Sequence, residues 1–233
     1  MQMPTTYLIT GANRGIGLEM SRQILESGDR LYAVCRNPET ATELNKFVQE
    51  SNGRGQIFKS DACDEIALAK IANAIVGGID VLVCNAGVMS ARGGLSDAEN
   101  NAASVSTVLM TNTAGPFFAA RAFHKNLKLS SAPRICIISS YMGSQQHQGA
   151  SAYFYRASKA GANNIMVTLA NELKSEGIIV ASFHPGWVKT EMGGSGADIT
   201  PQQSASGLIQ QFQALKIANT GAFINYDGKA LPL

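Results

Sequence analysis

The chain has no apolar run near the roughly 18 residues a membrane-crossing helix needs. It also has no block of lysines and arginines that would track a phosphate backbone. Nineteen basic residues face seventeen acidic ones, a formal charge of +2 over 233 residues. Neither a nucleic-acid partner nor a membrane is therefore expected. Cysteine is scarce: Cys35, Cys63, Cys84 and Cys136 form no C-x-x-C pair, and three histidines do not complete a metal set. The four thiols read as small buried hydrophobes in a reducing compartment, and no metal is expected. Met1–Thr10 lacks a basic stretch followed by an apolar one, so the expectation is a soluble cytoplasmic protein without a signal peptide. Linkers, repeats and low-complexity tracts are missing too, which predicts one domain over residues 1–233.

What is present is an alternation of short apolar runs with longer amphipathic ones. Strands are predicted at Thr6–Thr10, Arg30–Val34, Gln56–Lys59, Ile79–Cys84, Arg134–Ser139, Ile178–Phe183 and Gly221–Asn225. Helices are predicted at Ile16–Ser27, Glu39–Glu50, Glu65–Val76, Ala102–Leu127 (bent near Gly115-Pro116) and Ala152–Ser175. A last helix runs through Leu215 from a capping box at Thr200-Pro201-Gln202-Gln203. Continuous apolar strands between helices imply an α/β fold: a doubly wound, Rossmann-like parallel sheet of about seven strands. In such folds ligands sit outside the carboxyl ends of the strands, so chemistry is sought just after each one.

After the first strand comes Gly11-Ala12-Asn13-Arg14-Gly15-Ile16-Gly17, opening straight into a helix. Glycine permits a tight turn and a close approach of backbone to pyrophosphate, and the helix N-terminus supplies N–H donors. A site that prefers NAD carries an acid at the end of the second strand. Here that end reads Val34-Cys35-Arg36-Asn37, without one. Arg36 and the loop's Arg14 suit a 2′-phosphate, so NADP(H) is expected.

Tyr155 and Lys159 stand one helical turn apart on the long helix after the fifth strand, so they project together. A free phenol titrates near about 10, and a neighbouring ammonium would lower it toward the range of acid–base work. Of the tyrosines near that strand, Tyr141 and Tyr153 have no lysine one turn on. Ser139-Ser140 ends the fifth strand and places a hydroxyl where it would hold a substrate oxygen. Gly193-Gly194-Ser195-Gly196 reads as flexible and marks a small substrate lid near residues 193–215.

The loop TGANRGIG resembles the cofactor loop of the short-chain dehydrogenase/reductase family, and the resemblance extends over nearly the whole chain. HPGWVKTEMGG and the ending Asn225-Tyr226-Asp227-Gly228-Lys229 are similar to the carbonyl reductase subgroup that includes the C-factor and sniffer-like proteins. The resemblance implies a tetrad of Asn112, Ser140, Tyr155 and Lys159, with Ser140 rather than Ser139 active and Asn112 holding a water that links the lysine to solvent. It also implies cofactor contacts from Asp61 and Ala62, from Asn85-Ala86-Gly87 (with Cys84 in place of the family's first asparagine), and from Pro185, Gly186, Val188 and Thr190. The expected activity is hydride transfer between NADP(H) and a small carbonyl or alcohol substrate. A non-catalytic dinucleotide sensor or signalling protein is the rival. The large insertion that monomeric carbonyl reductases carry before the tyrosine is absent, so the resemblance implies that the two long helices are free to pair copies into a homodimer or homotetramer.

Overall fold

In the computed structural model, which describes residues 4–233, seven strands form one parallel sheet in the order β3-β2-β1-β4-β5-β6-β7. They are β1 (Thr6–Thr10), β2 (Arg30–Cys35), β3 (Gly55–Lys59), β4 (Val81–Cys84), β5 (Arg134–Ile138), β6 (Ile179–His184) and β7 (Phe223–Asn225). The first three residues of the Met1–Thr10 segment lie outside the described residues. Seven helices cover the two faces: α1 (Gly15–Glu26), α2 (Thr42–Glu50), α3 (Glu65–Ala74), α4 (Ala102–Leu109), α5 (Gly115–Leu127), α6 (Tyr153–Leu173) and α7 (Pro201–Ala214). Among the described residues no helix is long and apolar enough to cross a membrane.

Side chains alternate across each strand, so one strand feeds two cores. Tyr7, Ile9, Val81 and Val83 point to the face covered by Met20 of α1, Leu44 of α2 and Phe212 of α7. Leu8, Leu82, Cys84 and Ile135 point to the other, against Leu68 of α3, Phe123 of α5 and Met166 of α6. Both faces being covered is why the strands read as unbroken apolar runs. Strand order reverses between β1 and β4, and a crevice opens there at the carboxyl ends.

The predicted Ala102–Leu127 helix is two helices joined by a π turn over Met110–Ala114, with the Gly115 N–H reaching the carbonyl of Met110. Pro116 has no N–H to give the ordinary ladder, and the wider turn accommodates that gap. The predicted Glu65–Val76 helix stops at Ala74, because Ile75 is already extended at ψ 123°. The predicted Glu39–Glu50 helix starts at Thr42, after a separate 3-10 turn that Pro38 opens. The Thr200 capping box forms, its hydroxyl accepting from the Gln203 N–H at 3.2 Å. Of the segment expected as a lid, α7 buries Ala205, Leu208 and Phe212 in the core, while residues 190–199 stay in loops beside the crevice.

Candidate active site

The glycine loop is sewn to the end of β4. Asn85 donates through Nδ2 to the carbonyls of Thr10 (3.1 Å) and Gly11 (3.0 Å), and the Thr10 hydroxyl accepts from the N–H groups of Asn85 (3.1 Å) and Ala86 (3.2 Å). Gly11 and Gly15 adopt φ of 68° and 55°, where a side chain is strained. A Cβ on Gly17 would stand 2.3 Å from the Gly11 carbonyl oxygen and 2.4 Å from Asn85 Nδ2, so only hydrogen fits.

Along this seam runs a cleft of about 470 Å³, from Arg36 and Asp61 at one end to Tyr155 and Lys159 at the other. Its floor is backbone of the glycine loop and of Asn85-Ala86-Gly87, and α1 aims its N-terminus into it with no acid in the first turn. Such a floor suits a pyrophosphate. Arg14 meets Glu191 at 2.6 Å, and Arg36 stands 4.0 Å from Asp61. Cys35 is buried at the end of β2, and the next acid, Glu39, is held by Lys59 at 2.8 Å. The residues therefore fit a nicotinamide dinucleotide.

At the catalytic end, Lys159 is buried and donates through Nζ to the Ile138 carbonyl at 2.9 Å. Burial pushes its ammonium down to about 8. The same nitrogen lies 5.7 Å from the centre of the Tyr155 ring. Burial raises the phenol above its ordinary value, while a hydrogen bond with the Ser140 side chain and the charge of Arg92 pull it back. The charge of Arg92 thus acts on the phenol. The lysine lies over the ring face and its ammonium is tied to a main-chain carbonyl.

Ser140 is the phenol's partner, and Ser139 gives its hydroxyl to the Lys159 carbonyl at 3.2 Å. Asn112 sits in the π turn, 1% exposed, and its side chain is already committed. Oδ1 accepts from the Val88 N–H (2.8 Å), while Nδ2 donates to the Val88 carbonyl (2.8 Å) and the Ser158 hydroxyl (2.9 Å). The Asn112 side chain thus braces the β4 loop against α6.

Gly11, Asn13, Arg14, Gly15, Ile16, Gly17, Arg36, Asp61, Ala62, Asn85, Ala86, Gly87, Pro185 and Thr190 all line the cleft. Ser140, Asn112, Gly186 and Val188 are not in its lining, and Ser140 adjoins it through the side chain of Tyr155. Gly186 has φ 85°, and a Cβ there would meet Ile199 at 2.5 Å, so it turns the chain rather than touching the cleft. Val188 is buried and pairs with Ile199. Trp187 is exposed and donates to the Gly193 carbonyl at 2.8 Å. His184 stays neutral near pH 7, since burial pushes it down to about 4. Sequence reasoning missed Arg92, Glu191, Thr107 and Thr111, which also line the cleft. Glu191 lies within HPGWVKTEMGG and Arg92 directly precedes Gly93-Gly94, but neither stretch marks which of its side chains faces the cleft.

The fold and this cleft define a nicotinamide-dinucleotide oxidoreductase, and the family model described as short chain dehydrogenase matches residues 5–199. The chain belongs to the short chain dehydrogenase family. An uncharacterized oxidoreductase of Schizosaccharomyces pombe is 32% identical, covering 97% of each chain. Among solved structures, the carbonyl reductase Sniffer of D. melanogaster superposes with a TM-score of 0.93 at 31% identity, over 99% of this chain and 100% of that one. The NADPH-bound carbonyl reductase from chicken fatty liver superposes with a TM-score of 0.91 at 30% identity, over 100% of both.

Proposed function

We propose that the protein is an NADP(H)-dependent carbonyl reductase. The observation that carries this reading is the convergence of Tyr155, Ser140 and Lys159 at one end of a cleft whose other end offers Arg14 and Arg36. NADPH, when bound, supplies the two electrons as hydride. Tyr155 gives its phenolic proton to the oxygen of the substrate carbonyl, and Ser140 fixes that oxygen and the phenol relative to one another. Lys159, its ammonium lowered to about 8, returns a proton toward the phenol near neutral pH. In the reverse direction Tyr155 takes the alcohol proton. Arg14 and Arg36 receive the 2′-phosphate, and the backbone of Asn13 through Gly17 faces the pyrophosphate. The NADPH-bound state of the chicken liver relative supports the choice of cofactor.

The loop over residues 190–199 acts as the lid. Leu109, Met110 and Phe117, each more than a third exposed on the α4–α5 segment, make the face by which copies pair into a homodimer or homotetramer. Free thiols at all four cysteines suit the cytoplasm.

The test is oxidation of NADPH and of NADH, followed by absorbance, over a panel of aldehydes and ketones. NADPH should be preferred by at least about tenfold in kcat/KM, the order of one charge-assisted contact. Binding of NADPH without turnover of any carbonyl or alcohol would favour the sensor.

A further inference from the structure

Three arginines line the cleft, and two face a carboxylate: Arg14 meets Glu191 at 2.6 Å and Arg36 stands 4.0 Å from Asp61. The third, Arg92, lies at the catalytic end. Among the described residues it has no carboxylate partner, and the acceptor it reaches is the main-chain carbonyl of Met192 across the cleft. One Nη is spent there, leaving the rest of the guanidinium fork to other acceptors.

The segment that carries Arg92 is anchored to the catalytic helix. The Gly93 carbonyl accepts from the Ala152 N–H at 3.0 Å, at the residue that immediately precedes α6. Ala152 takes a left-handed conformation, φ 51°, and is buried. The Gly93 N–H is held by the Asp97 carboxylate at 2.8 Å, and Ala91 is buried. The backbone on both sides of Arg92 is thus fixed relative to Tyr155, three residues into the same helical turn. The Arg92 charge is felt at the Tyr155 hydroxyl. Room for a carbon skeleton continues past the two residues: an adjoining cavity of about 300 Å³ shares Val88, Met89 and Thr107 with the cleft.

We propose that Arg92 is a specificity-determining clamp that takes the carboxylate of the substrate, so that the preferred substrates are carbonyl compounds bearing an acid group. This rests on the reductase reading and names the substrate class for it. One unpaired guanidinium matches one negative charge, which favours a carboxylate over a doubly charged phosphate. The planar fork suits both of its oxygens. The clamp also orients the reacting carbonyl, because both ends of a short acid are then fixed, one at Arg92 and the other at Tyr155 and Ser140. Met192 offers a main-chain carbonyl that a carboxylate would displace or share, which couples substrate charge to the loop over the cleft.

The experiment compares three aldehyde acids of increasing reach, glyoxylate, succinic semialdehyde and 4-carboxybenzaldehyde, each with its methyl ester, under NADPH. At least one acid should exceed its ester in kcat/KM by roughly tenfold to a hundredfold. That ratio should fall to near one in R92Q and be partly kept in R92K. The ratio cancels any effect of the substitution on Tyr155 or on the loop, which acid and ester share. A second readout is calorimetric binding of 4-(hydroxymethyl)benzoate and its methyl ester in the presence of NADP. Esters as good as acids in all three pairs, or an acid-to-ester ratio unchanged in R92Q, would overturn the clamp and leave the reductase reading standing. Charge-selective binding that R92Q abolishes, with no turnover of any aldehyde, would keep the clamp and remove the reductase reading.

Discussion

The ammonium of Lys159 lies over the ring of Tyr155, 5.7 Å from its centre, and not against its oxygen. This separates two tasks. Tyr155 carries the transferable proton, and Lys159 stands behind it as a buried, easily deprotonated amine.

Tyr155→Phe removes one oxygen and keeps the ring against which Lys159 rests. The variant should fold, bind NADPH as the wild type does, and lose about 10²–10⁴-fold in kcat. Steady-state rates together with a fluorescence titration of NADPH check it. Wild-type turnover in the variant would remove Tyr155 from the reaction.

Burial of Lys159 has a stability consequence. Its value in the folded chain, about 8, is below the ordinary 10.5, so between those values the unfolded chain binds more protons. The folded state is therefore penalised at neutral pH, by up to about 3 kcal/mol, and the penalty fades as pH rises from about 8 to 10.5. The raised thiols of Cys35, Cys63, Cys84 and Cys136 act in the opposite sense over the same window, so the expected reading is the difference: in urea unfolding of the cofactor-free protein, the slope of stability against pH should be less positive in Lys159→Met than in the wild type. Equal slopes in the two proteins would place the titration elsewhere.

Asn112→Ala would strand the Val88 N–H and carbonyl as well as removing a side chain, while the Ser158 hydroxyl keeps its bond to the Tyr155 carbonyl. A loss of about 1–3 kcal/mol is expected, read as a lower urea midpoint. A variant with unchanged midpoint and reduced turnover would return Asn112 to the water-holding role.

How much of this was visible in the residue order differs from place to place. The glycine loop, Asn85 and the Tyr155–Lys159 pair were legible because each is a local pattern with a fixed offset: close backbone approach, a turn after a strand, one helical turn. The strands were legible because burial on both faces makes them unbroken apolar runs. The π turn was not, since a gap of one residue in the ladder leaves the apolar spacing of Ala102–Leu127 nearly unchanged and only Pro116 marks it. Arg92 was not, since in Ser90-Ala91-Arg92-Gly93-Gly94 it looks like any solvated charge. Its meaning comes from Met192, which lies one hundred residues further along the chain.

The Arg14–Glu191 pair is exposed, and such pairs are worth about 0–1 kcal/mol. Glu191→Gln should leave the unfolding midpoint nearly unchanged and tighten NADPH by up to about fivefold, because a guanidinium is released to the phosphates and one opposing carboxylate is lost. Raising the salt should shrink the gain. Weaker NADPH binding in this variant would mean that Glu191 serves to close the cleft and not to occupy its arginine.

The contacts on the two sides of the cleft are of unequal kind. On the β4 side, Val88 is tied to Asn112 by two hydrogen bonds and Gly93 to Ala152 by a third, so that wall travels with the helix bearing Tyr155. On the β6 side, residues 191 and 192 meet the opposite rim through the tips of two long flexible arginines. One side of the cleft is thus held by main-chain and buried amide hydrogen bonds, and the other by two exposed side-chain contacts.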